Sequence, residues 1–136
     1  MKTNSYLHFN GNCKEAMSFY ADILGGDITM LIQFNEAPES KNFPKEISDL
    51  TMHSTLEIGD MAIQASDFFS TTESFNAGTN FAISLNFEDE DEVVTIFNGL
   101  SEGGAIIKPL EESFWGGKSG VLQDQFGIRW MLSLEE

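Results

Sequence analysis

Cysteine, histidine and positive charge are all scarce in this chain, and each scarcity removes a class of function. The single cysteine, Cys13, cannot close an internal disulfide or build a Cys-rich zinc site. It falls at a helix start without recognisable activating neighbours, so it reads as a small packing residue rather than a nucleophile. Seven Lys and Arg stand against 22 Asp and Glu, a formal charge of −15. Phosphate backbones are bound by neutralising them with Lys and Arg, so nucleic acid is not an expected partner. The acidic runs Glu88-Asp89-Glu90-Asp91-Glu92 and Glu135-Glu136 read as a solvated helix start and a solvated tail rather than metal-attracting clusters. No run approaches the roughly 18 apolar residues of a membrane span, and Met1-Lys2-Thr3-Asn4-Ser5-Tyr6 carries no apolar stretch after its positive charge. Neither a membrane nor export is expected, and a cytoplasmic location is.

Several motifs are missing as well. Gly117-Lys118-Ser119 resembles the end of a phosphate loop, but the earlier glycine that loop needs falls at Glu112, and a strand pattern follows where a helix should. No Gly-x-Gly-x-x-Gly follows a strand, so a dinucleotide or methyl-donor fold has no support, and no Gly-x-Ser-x-Gly elbow supports a serine nucleophile.

What is present is apolar and aromatic. Hydrophobic residues make up 41% of 136, with 12 phenylalanines, enough for one core and hence a single domain over 1–136. The chain also repeats. Laying each residue against the one 78 later pairs Leu7 with Leu85, Phe9 with Phe87, Phe19 with Phe97, Gly25-Gly26 with Gly103-Gly104, and Ile28 with Ile106. In each half an alternating run precedes a helical pattern that stops at the glycine pair, and a β-rich stretch follows.

The first helix is expected to start after Asn12, capped by that side chain with Glu15 closing a capping box. Its predicted buried face is Ala16, Phe19, Tyr20, Ile23 and Leu24. The second helix places Val93, Ile96, Phe97 and Leu100 at helical spacing behind the acidic run. Strands are predicted at 27–35, 50–58 and 61–66, with a reversal at Gly59-Asp60. In the second half they fall at 80–87, 105–110, 117–123 and 128–134, with a turn over Asp124 to Gly127. Two stretches read as loops. Residues 36–49, with Pro38 and Pro44, serve as a lid over a site, as a cover in a dimer, or without order; 67–78, rich in Ser, Thr and Phe, links the halves.

The fold class is therefore α+β: two tandem βαβββ modules, at about 1–67 and 79–136 with a linker at about 68–78, forming a curved eight-stranded half-barrel sheet with a concave cup. Alternation assigns the faces. Leu7, Phe9, Phe81, Ile83, Leu85 and Phe87 go under the helices, while Tyr6, His8, Asn10, Ala82, Ser84 and Asn86 face the cup.

The run Tyr6-Leu7-His8-Phe9-Asn10-Gly11-Asn12-Cys13-Lys14-Glu15-Ala16, with Phe19-Tyr20 and Gly25-Gly26, resembles the opening of PhnB-like proteins. These belong to the vicinal-oxygen-chelate superfamily of glyoxalases, bleomycin-resistance proteins and extradiol dioxygenases. Met52-His53, Leu56-Glu57-Ile58-Gly59-Asp60, Phe114-Trp115-Gly116 and Asp124-Gln125-Phe126-Gly127-Ile128-Arg129-Trp130 continue the resemblance over essentially the whole chain. It implies a glyoxalase/bleomycin-resistance-like fold, but not an activity, because the superfamily holds metalloenzymes, drug-sequestering proteins and members without known activity. Some relatives carry a demethylubiquinone methyltransferase description, which no motif here supports.

Metal-dependent members take His and Glu ligands from the first and last strands of each half. The resemblance places those positions at Gln64 and Met131 and, within about two residues, near Asn4 and Ala82. Amide, thioether and methyl side chains offer no anionic ligand to offset desolvating a divalent ion, so the usual metal site is expected to be lost and no cofactor is expected. His8, on the cup-facing set, is the one candidate for rescuing a metal site or for acid–base work. Alternation leaves the direction of His53, its possible partner, open.

Trp115, with Phe114, sits in a glycine-flanked segment and serves either as an aromatic wall at the cup mouth or as a core or dimer-interface residue. Trp130 goes to the core and leaves Met131 in the cup. The leading expectation is thus a small-molecule ligand bound by Tyr6, His8, Gln64, Ser84, Asn86, Trp115 and Met131. The alternatives are a metal-dependent lyase, isomerase or dioxygenase using His8, and a protein-interaction module with a vestigial cup. A homodimer is expected under all three, since exposed sheet edges need covering.

Overall fold

A computed structural model of the chain describes residues 1–135. It divides into two compact units, Met1–Phe75 and Asn76–Glu136. The first contains β1 (Ser5–Phe9), α1 (Cys13–Leu24), β2 (Asp27–Gln33), β3 (Thr51–Ile58) and β4 (Met61–Asp67), and the second β5 (Ile83–Phe87), α2 (Glu90–Ser101), β6 (Ala105–Glu112), β7 (Lys118–Gln123) and β8 (Arg129–Leu134). Their sheets run β1-β4-β3-β2 and β5-β8-β7-β6, the first pair of each parallel and the others antiparallel. The protein is two tandem βαβββ modules. Among the described residues no helix is long and apolar enough to cross a membrane.

The repeat seen in sequence has a steric basis. Strands β1 and β5 start at Ser5 and Ile83, 83 − 5 = 78 residues apart. Gly26 and Gly104 each lie where the helix hands over to its next strand, pressed against a hairpin backbone. A Cβ would come within 2.5 Å of the Glu57 carbonyl oxygen at the first and 2.2 Å of that of Gln123 at the second. Only glycine fits there.

The first helix departs from expectation at its start. Asn12 makes no side-chain cap bond. The cap comes from the end of β4, where the Asp67 carboxylate accepts the N–H groups of Gly11 and Cys13 at 3.0 and 2.9 Å. Its other oxygen accepts the Thr51 N–H at 2.9 Å. Tied to the sheet in this way, α1 buries Cys13, Ala16, Met17 and Tyr20, an i, i+3, i+4, i+7 stripe, and leaves Phe19, Ile23 and Leu24 half-buried. These pack on Leu7, Phe9, Leu56, Ile63 and Ala65 of the sheet. In the second unit Val93, Ile96, Phe97 and Leu100 of α2 are buried as the spacing requires, and Asp89 caps the helix by accepting the Glu92 N–H at 3.2 Å. Phe81 is a correction: β5 begins at Ile83, so the alternation does not reach it, and it is 72% exposed.

The modules differ most in one connection. Between β2 and β3 the chain takes 50 − 34 + 1 = 17 residues, wound into short 3₁₀ turns at Phe34–Glu36, Ser40–Asn42 and Lys45–Ile47. Between β6 and β7 it takes 117 − 113 + 1 = 5, closed by the Ser113 N–H to the Gly117 carbonyl at 3.0 Å, with Gly116 and Gly117 at φ 99° and 70°.

Candidate functional site

The parallel register of β1 and β4 sets Tyr6 beside Gln64 and His8 beside Ser66 on the sheet face away from α1. Thr55 on β3 lies beside Gln64 in turn. The structure settles the direction of His53, which joins this face. Its Nδ1 is 3.2 Å from the Tyr6 hydroxyl and its Nε2 3.4 Å from the Thr55 hydroxyl. The Tyr6 ring lies 5.1 Å from His8 and 5.8 Å from His53, and His8 Nδ1 is 3.4 Å from the Ser66 hydroxyl. Three of the expected residues, Tyr6, His8 and Gln64, thus share one face with His53.

His8 also stands at a cavity of about 470 Å³ that sequence reading did not anticipate. Met52 and Ser66 of the sheet line it, together with Phe34 and Phe43 from the long β2–β3 connection and Phe68 and Phe69 beyond β4. Phe34, Phe43 and Phe69 meet edge to face at 5.0, 6.1 and 5.7 Å between centroids, and Phe68 lies edge-on to His8 at 6.4 Å. Such packing holds irregular segments in place with the aromatic geometry that ring quadrupoles favour. The usable signal was the phenylalanine content of segments otherwise polar enough to be loops. A second hollow, around Gly11, Asn12, Lys14 and Asp49 at the start of α1, contains none of the expected site residues.

In the second unit Ser84 and Met131 are register partners, and the Ser133 hydroxyl donates to Asn86 Oδ1 at 2.7 Å. Met131 faces outward while Trp130 is wholly buried, its indole N–H donated to Asp124 at 2.8 Å. Trp115 is separate from this strand pair. It lies on the β6–β7 turn, beyond the Lys118–Leu134 end of the ladder, 68% exposed and edge-on to Phe114 at 4.8 Å. Cys13 is fully buried against the Ser54 hydroxyl at 3.6 Å, and desolvation pushes its thiol up to about 11, so it is protonated at neutral pH.

Residues 1–133 match the family described as 3-demethylubiquinone-9 3-methyltransferase. The chain belongs to that family. A PhnB protein of the same description from Bacillus cereus is 26% identical, covering 98% of this chain and 99% of that one, with a TM-score of 0.78. Protein PA1353 from Pseudomonas aeruginosa is 36% identical over 99% of this chain and 98% of its own, with a TM-score of 0.88. A glyoxalase/bleomycin resistance protein/dioxygenase family enzyme from Burkholderia phytofirmans shares the fold at 16% identity, with 98% and 100% coverage and a TM-score of 0.65. The protein is therefore PhnB-like, with the vicinal-oxygen-chelate fold.

The metal of that superfamily can be tested against the residues present. The positions to which the resemblance assigns its ligands carry Gln64 and Met131 and, within about two residues, Asn4 and Ala82, none of these four anionic or an imidazole. Both ring nitrogens of His53 already face hydroxyl groups. Among the described residues no three His, Cys, Asp or Glu side chains gather in a metal-binding group. This donor set does not fit a divalent cation. The family description raises a methyl donor instead. The turn from β1 to α1, where a nucleotide-binding fold would present free N–H groups, has already given those of Gly11 and Cys13 to Asp67.

Proposed function

We propose that this PhnB-like protein binds a small organic molecule at the Tyr6–His8–Gln64 face and the adjoining aromatic cavity of its first unit, without the superfamily's usual metal. The carrying observation is the cavity itself: about 470 Å³, walled by four phenylalanines, with His8 and Ser66 at its polar edge. That volume, walled on one side by phenylalanine rings and on the other by His8, Ser66, Asp67, Ser70 and Glu73, is of a size that takes a small organic ligand. In this reading His8, at the cavity's edge 3.4 Å from the Ser66 hydroxyl, orients the ligand or exchanges a proton with it. A homodimer joined at open sheet edges belongs to the same reading, since edge strand β6 carries half-exposed Ile106 and Ile107.

The test is elemental analysis of protein purified without tags or chelators, then melting curves with Zn²⁺, Ni²⁺, Mn²⁺ and Fe²⁺ and with a library of small organic compounds. Binding to the native state raises its melting temperature. The expected result is no stoichiometric metal, no metal stabilisation that depends on His8, and organic hits weakened in His8→Ala. Stoichiometric metal, or a metal shift abolished by His8→Ala, would overturn the metal-free reading in favour of a metalloenzyme.

A further inference from the structure

We propose that the first unit's aromatic cavity selects cationic aromatic molecules, such as arylmethyl amines, over neutral or anionic molecules of the same shape. The inference rests on the ligand-binding reading above and adds the ligand's class.

Three observations converge on it. First, none of the seven Lys and Arg residues lines the cavity, so a phosphonate, phosphate or carboxylate would meet no permanent countercharge there, only the His8 imidazole. Burying an unpaired anion among phenylalanine rings is costly, because ring faces carry the negative part of the quadrupole. Second, those same faces attract cations, and four phenylalanines line this one space. Third, the two carboxylates of the lining have different employment. Asp67 is 3% exposed and its oxygens already accept three backbone N–H groups, so it is a fixed part of the wall. Glu73 is exposed at the rim, and among the described residues its carboxylate has no hydrogen-bond or ion-pair partner. Its backbone is held, however. The Ser70 hydroxyl accepts the N–H groups of Thr72 and Glu73 at 3.1 and 3.0 Å, which fixes the turn that presents the carboxylate. A ring laid against the half-buried Phe43, Phe68 and Phe69 can therefore direct an ammonium group toward Glu73. The chain's charge of −15 adds a long-range field of the same sign, drawing cations in and repelling anions.

The experiment is a calorimetric titration of the full chain with three isosteric probes at low ionic strength: 2-naphthylmethylamine, 2-naphthylmethanol and 2-naphthoate. The amine is expected to bind about tenfold tighter than the alcohol, with the carboxylate weakest and the amine's advantage shrinking as salt is added. Glu73→Gln, on an exposed turn, should bring the amine to the level of the alcohol and leave the alcohol unchanged. Phe69→Leu should weaken both. If the alcohol or the carboxylate binds as tightly as the amine, the cavity takes aromatic ligands and the proposed class is wrong. If none of the three saturates on protein that melts cooperatively, the cavity is not a ligand site, and the reading beneath the proposal falls with it.

Discussion

Replacing Asp67 by alanine removes in one step the acceptor for three backbone N–H groups, those of Gly11, Cys13 and Thr51. Gly11 is exposed and can turn to water. Cys13 and Thr51 are 0% and 2% exposed, so their N–H groups are left without a partner. At about 1–3 kcal/mol for each buried donor stranded, the loss is about 2–6 kcal/mol, with a centre near 4. Unfolding entropy of about 2.1 cal/mol/K per residue gives this chain about 0.29 kcal/mol/K, so the melting temperature should fall by about 14 °C. Asp67→Asn keeps one acceptor but turns an amide donor toward an N–H, and should fall between alanine and the parent. The assay is urea unfolding followed by circular dichroism, with Asp60→Ala, on the exposed β3–β4 turn, as a control expected within about 0.5 kcal/mol of the parent. A loss below about 1 kcal/mol for Asp67→Ala would refute the reasoning. It would show that α1 can be capped from elsewhere, with Asn12 the first suspect.

Gly104→Ala should cost at least about 3 kcal/mol or prevent folding, because its Cβ meets backbone at 2.2–2.9 Å that cannot swing aside; normal melting of that variant would contradict the close approach. Trp130→Phe should cost about 1–3 kcal/mol by taking the indole N–H from buried Asp124 and leaving space behind, read by the same denaturation assay. Cys13 should react with thiol reagents only as the protein unfolds. Burial raises its folded-state value from 9.0 to about 11, so between those values the unfolded chain has released a proton that the folded chain keeps. Stability should therefore decline as pH rises through that window, and Cys13→Ala should remove that part of the decline.

The tandem modules were legible because their markers are local and repeated. Alternation of Leu7 with Phe9, the helical spacing of Val93 to Leu100, and the glycine pairs all follow from backbone periods of two and 3.6 residues. The errors came where the deciding partner is distant or the pattern overruns its element. Asn12 has the chemistry of a cap, yet Asp67 performs the task from the far end of β4, and local pattern cannot register a competitor that far along the chain. Phe81 continues an alternation beyond the strand that gives alternation its meaning. Tyr6 and His8 were legible as neighbours on one face, whereas His53 needed the Tyr6 hydroxyl to fix its side. The aromatic cavity was the least legible part. Phe34 and Phe43 come from the irregular β2–β3 connection and Phe69 from the segment beyond β4, and only tertiary folding makes them adjacent.

The unequal length of the two β connections makes the duplicated halves unequal in what they can offer. Seventeen residues in the first half carry Phe34 and Phe43 to the cavity wall, whereas the five-residue turn in the second half holds Phe114 and Trp115 out as exposed rings. Two halves that repeat in sequence have thus diverged in this connection, and the proposed site depends on the longer one. Saturation with 2-naphthylmethylamine should accordingly reach one equivalent per chain, so the stoichiometry of binding would record a symmetry that the sequence still shows and the loops have given up.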